Sequence, residues 1–113
     1  MYTVTKRIEV SGAHCLNLSY ESKCRNLHGH NWIIECTLKS KNLNGDGMVM
    51  DFTHIKNIVS KLDHANVNEV LGGELNPTAE NIAKWLCSHI PLCVKVSVQE
   101  SEGNIATYEK DDD

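Results

Sequence analysis

The stretch His28-Gly29-His30-Asn31-Trp32-Ile33-Ile34-Glu35-Cys36-Thr37-Leu38 decides the fold, because Trp32, Ile34, Cys36 and Leu38 recur at every second position. Side chains two apart on a strand share a face, so this is a β-strand buried on one side. Upstream, residues 2 to 12 alternate in the same way. Tyr2, Val4, Lys6, Ile8 and Val10 stand opposite Thr3, Thr5, Arg7, Glu9 and Ser11, and the polar run from Asn17 to Asn26 reads as the loop between two strands. Downstream, Asn42 to Gly47 supplies turn chemistry before an expected short third strand, Met48 to Asp51. Phe52, Ile55, Ile58, Val59 and Leu62 then fall on one stripe of a 3.6-residue period, which predicts a helix over 52–62 capped by Asp51.

Asn66 to Leu75 reads as loop. Asn76-Pro77 predicts a cap followed by proline at the first position of a second helix, whose stripe is Ile82, Trp85, Leu86 and Ile90 and which Pro91 stops. Val94, Val96 and Val98 alternate with Lys95, Ser97 and Gln99, and a last strand over 105–109 follows the turn at Gly103-Asn104. The expected fold is therefore α+β: an antiparallel sheet of four to five strands with two helices on one face. So short a sheet leaves edges open, and assembly that pairs them removes an aggregation hazard.

The composition fits that reading. Hydrophobic residues are 41% and charged residues 23% of 113 residues, which suits one modest core and a single domain, 1–113. The net charge of −4, partly from the acidic tail Asp111-Asp112-Asp113, gives no basic surface for nucleic acid. No apolar run is long enough to span a membrane, and Met1 to Lys6 lacks the apolar block of a signal peptide, so a cytoplasmic protein is expected. Five cysteines without repeated spacing argue against a disulfide framework and for reduced, mostly buried thiols.

Strand parity isolates the candidate chemistry. His14 is in phase with Ile8 and Val10, and His28 and His30 are in phase with Trp32, so all three histidines face inward. Three imidazoles on neighbouring strands suit zinc and leave one position open, as a catalytic site requires. Cys24 lies between Lys23 and Arg25, whose charges favour a thiolate. It reads equally as a nucleophile or base and as a fourth ligand closing a structural zinc site, with an inert loop thiol as the lesser alternative. Asp63-His64 is a carboxylate beside an imidazole it can orient, although sequence neighbours often point apart. Glu100 continues the inward phase of Val98 and needs a partner there. The paired N–H donors of an amino-pyrimidinone edge would serve, and so would a Lys or Arg of this chain.

Together, Ser11-Gly12-Ala13-His14, Lys23 to His30, Gly47 to Phe52, Leu62-Asp63-His64, Pro77-Thr78-Ala79-Glu80-Asn81 and Val98-Gln99-Glu100 resemble the 6-pyruvoyl- and 6-carboxy-tetrahydropterin synthase family, in family order along nearly the whole chain. The short spacing from Cys24 to His28 is similar to the carboxy-forming branch of queuosine (7-deazaguanine) biosynthesis. The resemblance implies zinc on His14, His28 and His30, Cys24 as catalytic base with Asp63 and His64, and Glu100 as the pterin anchor, with Thr78 adding a polar contact. It also implies a tunnelling fold, in which trimers close their sheets into a barrel and pair as homohexamers with active sites between subunits. The implied reaction turns 7,8-dihydroneopterin triphosphate into 6-carboxy-5,6,7,8-tetrahydropterin, acetaldehyde and triphosphate, without nicotinamide or flavin. The alternatives are the pyruvoyl-forming synthase and a non-catalytic zinc domain. One departure is Cys15, where family members often carry Arg to meet phosphate; Lys23 and Arg25 are the charged substitutes nearby.

Overall fold

A computed structural model describes residues 1–111; Asp112 and Asp113 of the expected acidic tail lie outside the described residues. Four antiparallel strands, β1 (Tyr2–His14), β2 (His28–Ser40), β3 (Cys93–Ser101) and β4 (Asn104–Glu109), form one open sheet in the order β1-β2-β3-β4. Its apolar face, built from Ile8, Val10, Trp32, Ile34, Cys36, Leu38, Val96 and Val98, packs on the helical segments, and their buried residues join it in one core. The alternation that marks these strands is thus the alternation of core and solvent.

Helix α1 (Phe52–Val59) starts at Asp51, whose side chain accepts the Thr53 N–H, and runs into one 3₁₀ turn, Ser60–Leu62. Ile55, Val59 and Leu62 are buried, whereas Phe52, expected on the same stripe, is exposed at the first position. The segment expected as loop holds a one-turn helix, α2 (Val67–Val70), capped by Asn66 and seated by the buried Val67. Helix α3 (Ala79–His89) is capped by Thr78, which accepts from the Asn81 N–H, so Pro77 precedes the cap instead of opening the helix. Ala83 and Cys87 share its buried stripe with Ile82 and Leu86, while Trp85 sits half-buried and stacks on His89 with ring centroids 4.0 Å apart.

The expected third strand over Met48 to Asp51 does not form. Both sides of β2 are used, by β1 and β3, so the chain leaving β2 has no free ladder to continue. Asn44 instead closes the turn: its side chain accepts from the Asp46 and Met48 N–H groups, and Gly47 takes a left-handed φ of 79°. A second correction falls on Val94. The register shifts where Thr37 faces Lys95 and Leu38 faces Cys93, so this irregularity buries Cys93 where alternation alone put Val94. Of the five cysteines, Cys36, Cys87 and Cys93 are buried free thiols, and burial pushes Cys36 and Cys93 up to about 12, which leaves them as inert apolar groups.

One glycine fixes how the segment after α1 lies on the sheet. A Cβ on Gly12 would meet the Leu62 carbonyl oxygen at 2.8 Å, Trp32 Cζ3 at 2.9 Å and the Ala65 carbonyl oxygen at 3.2 Å. Two of these are backbone atoms, which cannot swing aside. Gly12→Ala is therefore expected to cost about 1–3 kcal/mol of folding stability, the usual range for overpacking, readable as a lower urea midpoint with an unchanged slope.

Candidate active site

The histidines stand where β1 and β2 run past the helices. His14 pairs directly with His28, and Gly12 pairs with His30, so the three rings project from one face at the same end of the sheet. Ring centroids are 4.6 Å apart for His14 and His28, 5.1 Å for His14 and His30, and 4.9 Å for His28 and His30. One nitrogen from each falls within 4.8 Å of the other two. Trp32 forms the floor, its ring 5.1 Å from His14 and 5.5 Å from His30. Its inward parity was the available signal for that role.

Two backbone carbonyls aim the rings. His14 Nδ1–H donates to the Pro77 carbonyl oxygen at 2.7 Å, and His28 Nδ1–H donates to that of Asn26 at 2.7 Å. A carbonyl only accepts, so each Nδ1 carries the proton and, in the neutral ring, each Nε2 presents a lone pair. His14 is fully buried and its Nε2 has no hydrogen-bond partner. Burial holds its pKa below the ordinary histidine value, against the opposing pull of the Pro77 bond, so the neutral, ligating form is favoured. An orphaned, buried lone pair beside two further imidazoles is what a divalent metal of zinc's type would satisfy, and carbonyl-held Nδ1 groups are the usual support for such ligands.

The loop after His14 is held from both sides. Asn68 accepts from the Cys15 N–H and donates to the Cys15 carbonyl, and Asn76 does the same for Asn17, both at 2.9 to 3.0 Å. Asn76 in turn accepts from Asn81 of α3 through its carbonyl, which fixes the Pro77 turn beneath His14. In the sequence Asn68 carried no signal and Asn76 read only as a helix cap, which Thr78 provides instead, since the partners of both asparagines are remote.

Glu100 stands against the cluster. Its Oε1 lies 3.4 Å from His14 Nε2 and 3.6 Å from His30 Nε2, and no Lys or Arg pairs with it among the described residues. The same residue lines a cleft of about 400 Å³ with Ala79 and Glu80 at the start of α3 and Gly103 to Ala106 of the β3–β4 hairpin. Thr78, immediately before that wall, uses its hydroxyl as the α3 cap.

Cys24 sits half-buried in a 3₁₀ turn, Lys23–Arg25, where its N–H donates to Ser22 and its carbonyl accepts from Leu16. It does not join the cluster of ligand atoms within 4.8 Å. Neighbouring Arg25 lies 3.6 Å from Glu21, both well exposed. Asp63 and His64 do act on each other, with His64 Nδ1 3.1 Å from Asp63 Oδ2. They are tied to the outer edge of β1: the Ser11 N–H donates to Asp63 at 2.8 Å, and the His64 N–H donates back to the Ser11 carbonyl. His64 holds a left-handed φ of 53°, and its side chain is 84% exposed. Within one chain, and among the described residues, no hydrogen bond or ion pair joins this pair to Cys24.

The Ser11 amide first, and His64 after it, hold the Asp63 carboxyl below the usual carboxylate range. A folded-state pKa lowered in this way contributes stability that is present above the unfolded value of about 3.9 and lost as pH falls through the folded one. Urea midpoints should therefore drop below about pH 4, and Asp63→Asn should flatten that acid limb. An equally steep limb in the variant would place the acid sensitivity elsewhere.

An open antiparallel sheet backed by helices, with three imidazoles converging at its end, defines an α+β protein with a site suited to a divalent metal. The chain belongs to the 6-pyruvoyl tetrahydropterin synthase family, whose model matches residues 3–111. It is 37% identical to the 6-carboxy-5,6,7,8-tetrahydropterin synthase of Synechocystis sp., with 96% of this chain and 93% of that protein aligned. It is 32% identical to the protein of the same name from Rickettsia bellii, with 80% of each aligned. A relative from Pyrococcus horikoshii is 42% identical over 67 residues, a match that spans 56% of this chain and 42% of that protein. The structure of Caenorhabditis elegans 6-pyruvoyl tetrahydropterin synthase has the same fold, with a TM-score of 0.74 at 27% identity over 97% of this chain and 96% of that one.

Proposed function

We propose that this chain, as a single domain, is a zinc-dependent lyase that converts 7,8-dihydroneopterin triphosphate into 6-carboxy-5,6,7,8-tetrahydropterin, acetaldehyde and triphosphate, a step of queuosine biosynthesis. The observation that carries the reading is the buried, unpartnered Nε2 of His14 beside His28 and His30. Zinc held by these three rings supplies Lewis-acid polarisation of a substrate oxygen. Around it, the Trp32 floor keeps water from one side of the site, and Glu100 offers a carboxylate to the pterin's donors where the cleft meets the imidazoles. Thr78, next to Ala79 of that cleft, adds a polar contact at the start of α3. Cys24 takes and returns protons at the substrate side chain, and His64, oriented by Asp63, serves as the second acid or base.

That last assignment needs more than one chain. The exposed His64 at the β1 edge, and the outer edges of β4 and of β1 before Ser11, which pair with no strand among the described residues, support a homohexamer in which Asp63 and His64 of one subunit complete the Cys24 site of another. No helix among the described residues is long and apolar enough to cross a membrane, in keeping with work in the cytoplasm.

Incubation with 7,8-dihydroneopterin triphosphate tests the reading. Acetaldehyde and the 6-carboxy product are expected in equal amounts, with triphosphate. A 6-pyruvoyl product would reassign the chain to the other branch, and no turnover by the zinc-loaded protein would leave it a non-catalytic zinc domain.

A further inference from the structure

Glu100 makes a poor hydrogen-bonding partner for the imidazoles it faces. The Pro77 carbonyl already fixes the proton of His14 on Nδ1, so a neutral His14 turns an Nε2 lone pair toward the carboxylate oxygen. An N–H···O bond would close to about 2.7–3.2 Å, and the observed separations are 3.4 and 3.6 Å. Lone pairs held face to face at that spacing repel unless a cation lies among them. For tetrahedral zinc, with bonds of about 2.0–2.2 Å to nitrogen and oxygen, two ligand atoms stand about 3.3–3.5 Å apart. The Glu100 separations have the size of such ligand–ligand edges.

The strand pairing is irregular at this carboxylate. Gln99 pairs with Ile105 and Ser101 with Asn104, so the register shifts across Glu100 and leaves it without a partner on β4. Irregularities of this kind re-aim a side chain. The residue touches both the imidazole cluster and the 400 Å³ cleft, and its side chain is 29% exposed.

Building on the zinc reading above, we infer that Glu100 is the fourth metal ligand of the substrate-free protein, closing the position that His14, His28 and His30 leave open, and that it is released into the cleft when a pterin occupies the site. One carboxylate thus guards the metal and, once displaced, holds the pterin ring.

Zinc affinity measured by competition with a chromophoric chelator, and the visible spectrum of the cobalt-loaded protein, test this without reference to turnover. Wild type, Glu100→Gln and Glu100→Asp should each bind one metal per chain through the three histidines. Both variants should bind zinc about tenfold to a hundredfold more weakly and give altered cobalt bands, since Gln removes the anionic ligand and Asp withdraws it by one methylene. Wild-type affinity and superimposable spectra in both variants would overturn the inference while leaving the zinc reading intact. Full affinity in Glu100→Asp alone would also overturn it, because charge without ligation would then suffice. Absence of metal binding in all three proteins would sink the zinc reading itself. Sepiapterin added to the cobalt-loaded wild type should shift its bands, and bound pterin with an unchanged spectrum would refute the exchange.

Discussion

Cys24→Ala is expected to keep its zinc and to lose about two to four orders of magnitude in turnover of 7,8-dihydroneopterin triphosphate, the usual range for a positioned acid or base. The two halves follow from where the residue lies. Its sulfur stands outside the group of ligand atoms, so its removal takes nothing from the metal. The turn that carries it is held through the backbone of Cys24, whose N–H donates to the Ser22 hydroxyl and whose carbonyl accepts from the Leu16 N–H, and an alanine preserves both. Loss of activity can therefore be read as loss of the thiol. Metal content by mass spectrometry and acetaldehyde release settle both halves on one sample. If zinc leaves together with activity, Cys24 is a metal ligand, and its assignment as the catalytic base falls.

The sheet was readable wherever burial follows alternation, as at Ile8 and Val10 or from Trp32 to Leu38, because a period of two has one structural cause there. It was misread where tertiary constraint decides. Nothing local says that β2 is flanked on both sides, so Met48 to Asp51 looks like a strand until β3 is seen to occupy the edge. A one-residue irregularity opposite Leu38 exchanges Cys93 for Val94, and a four-residue helix such as α2 is too short to show a period. In the site, parity was enough to bring His14, His28 and His30 to one face. The carbonyls of Pro77 and Asn26 that choose their tautomers were invisible, since any residue carries a carbonyl and only the fold selects one. Glu100 was legible as an inward carboxylate, but its closeness to two imidazoles depends on a register shift that β4 imposes.

His28→Ala should abolish stoichiometric metal binding, leaving less than about a tenth of the zinc that copurifies with wild type, because two imidazoles and a carboxylate form a far weaker set than three imidazoles and a carboxylate. Of the three histidines, His28 gives the cleanest test. His14 is fully buried against Trp32 and the Pro77 turn, so its truncation would open a cavity and confuse folding with ligation. His28 is only half-buried at the first position of β2, and its one hydrogen bond, to Asn26 two residues earlier, is local. The variant should therefore unfold in urea within about 1 kcal/mol of metal-free wild type, as substitutions outside the packed core usually do. Activity should vanish with the metal and fail to return when zinc is supplied at wild-type saturating levels. Retention of one zinc per chain by a folded His28→Ala protein would exclude the three-histidine assignment and require ligands from elsewhere in the chain or from a neighbouring subunit.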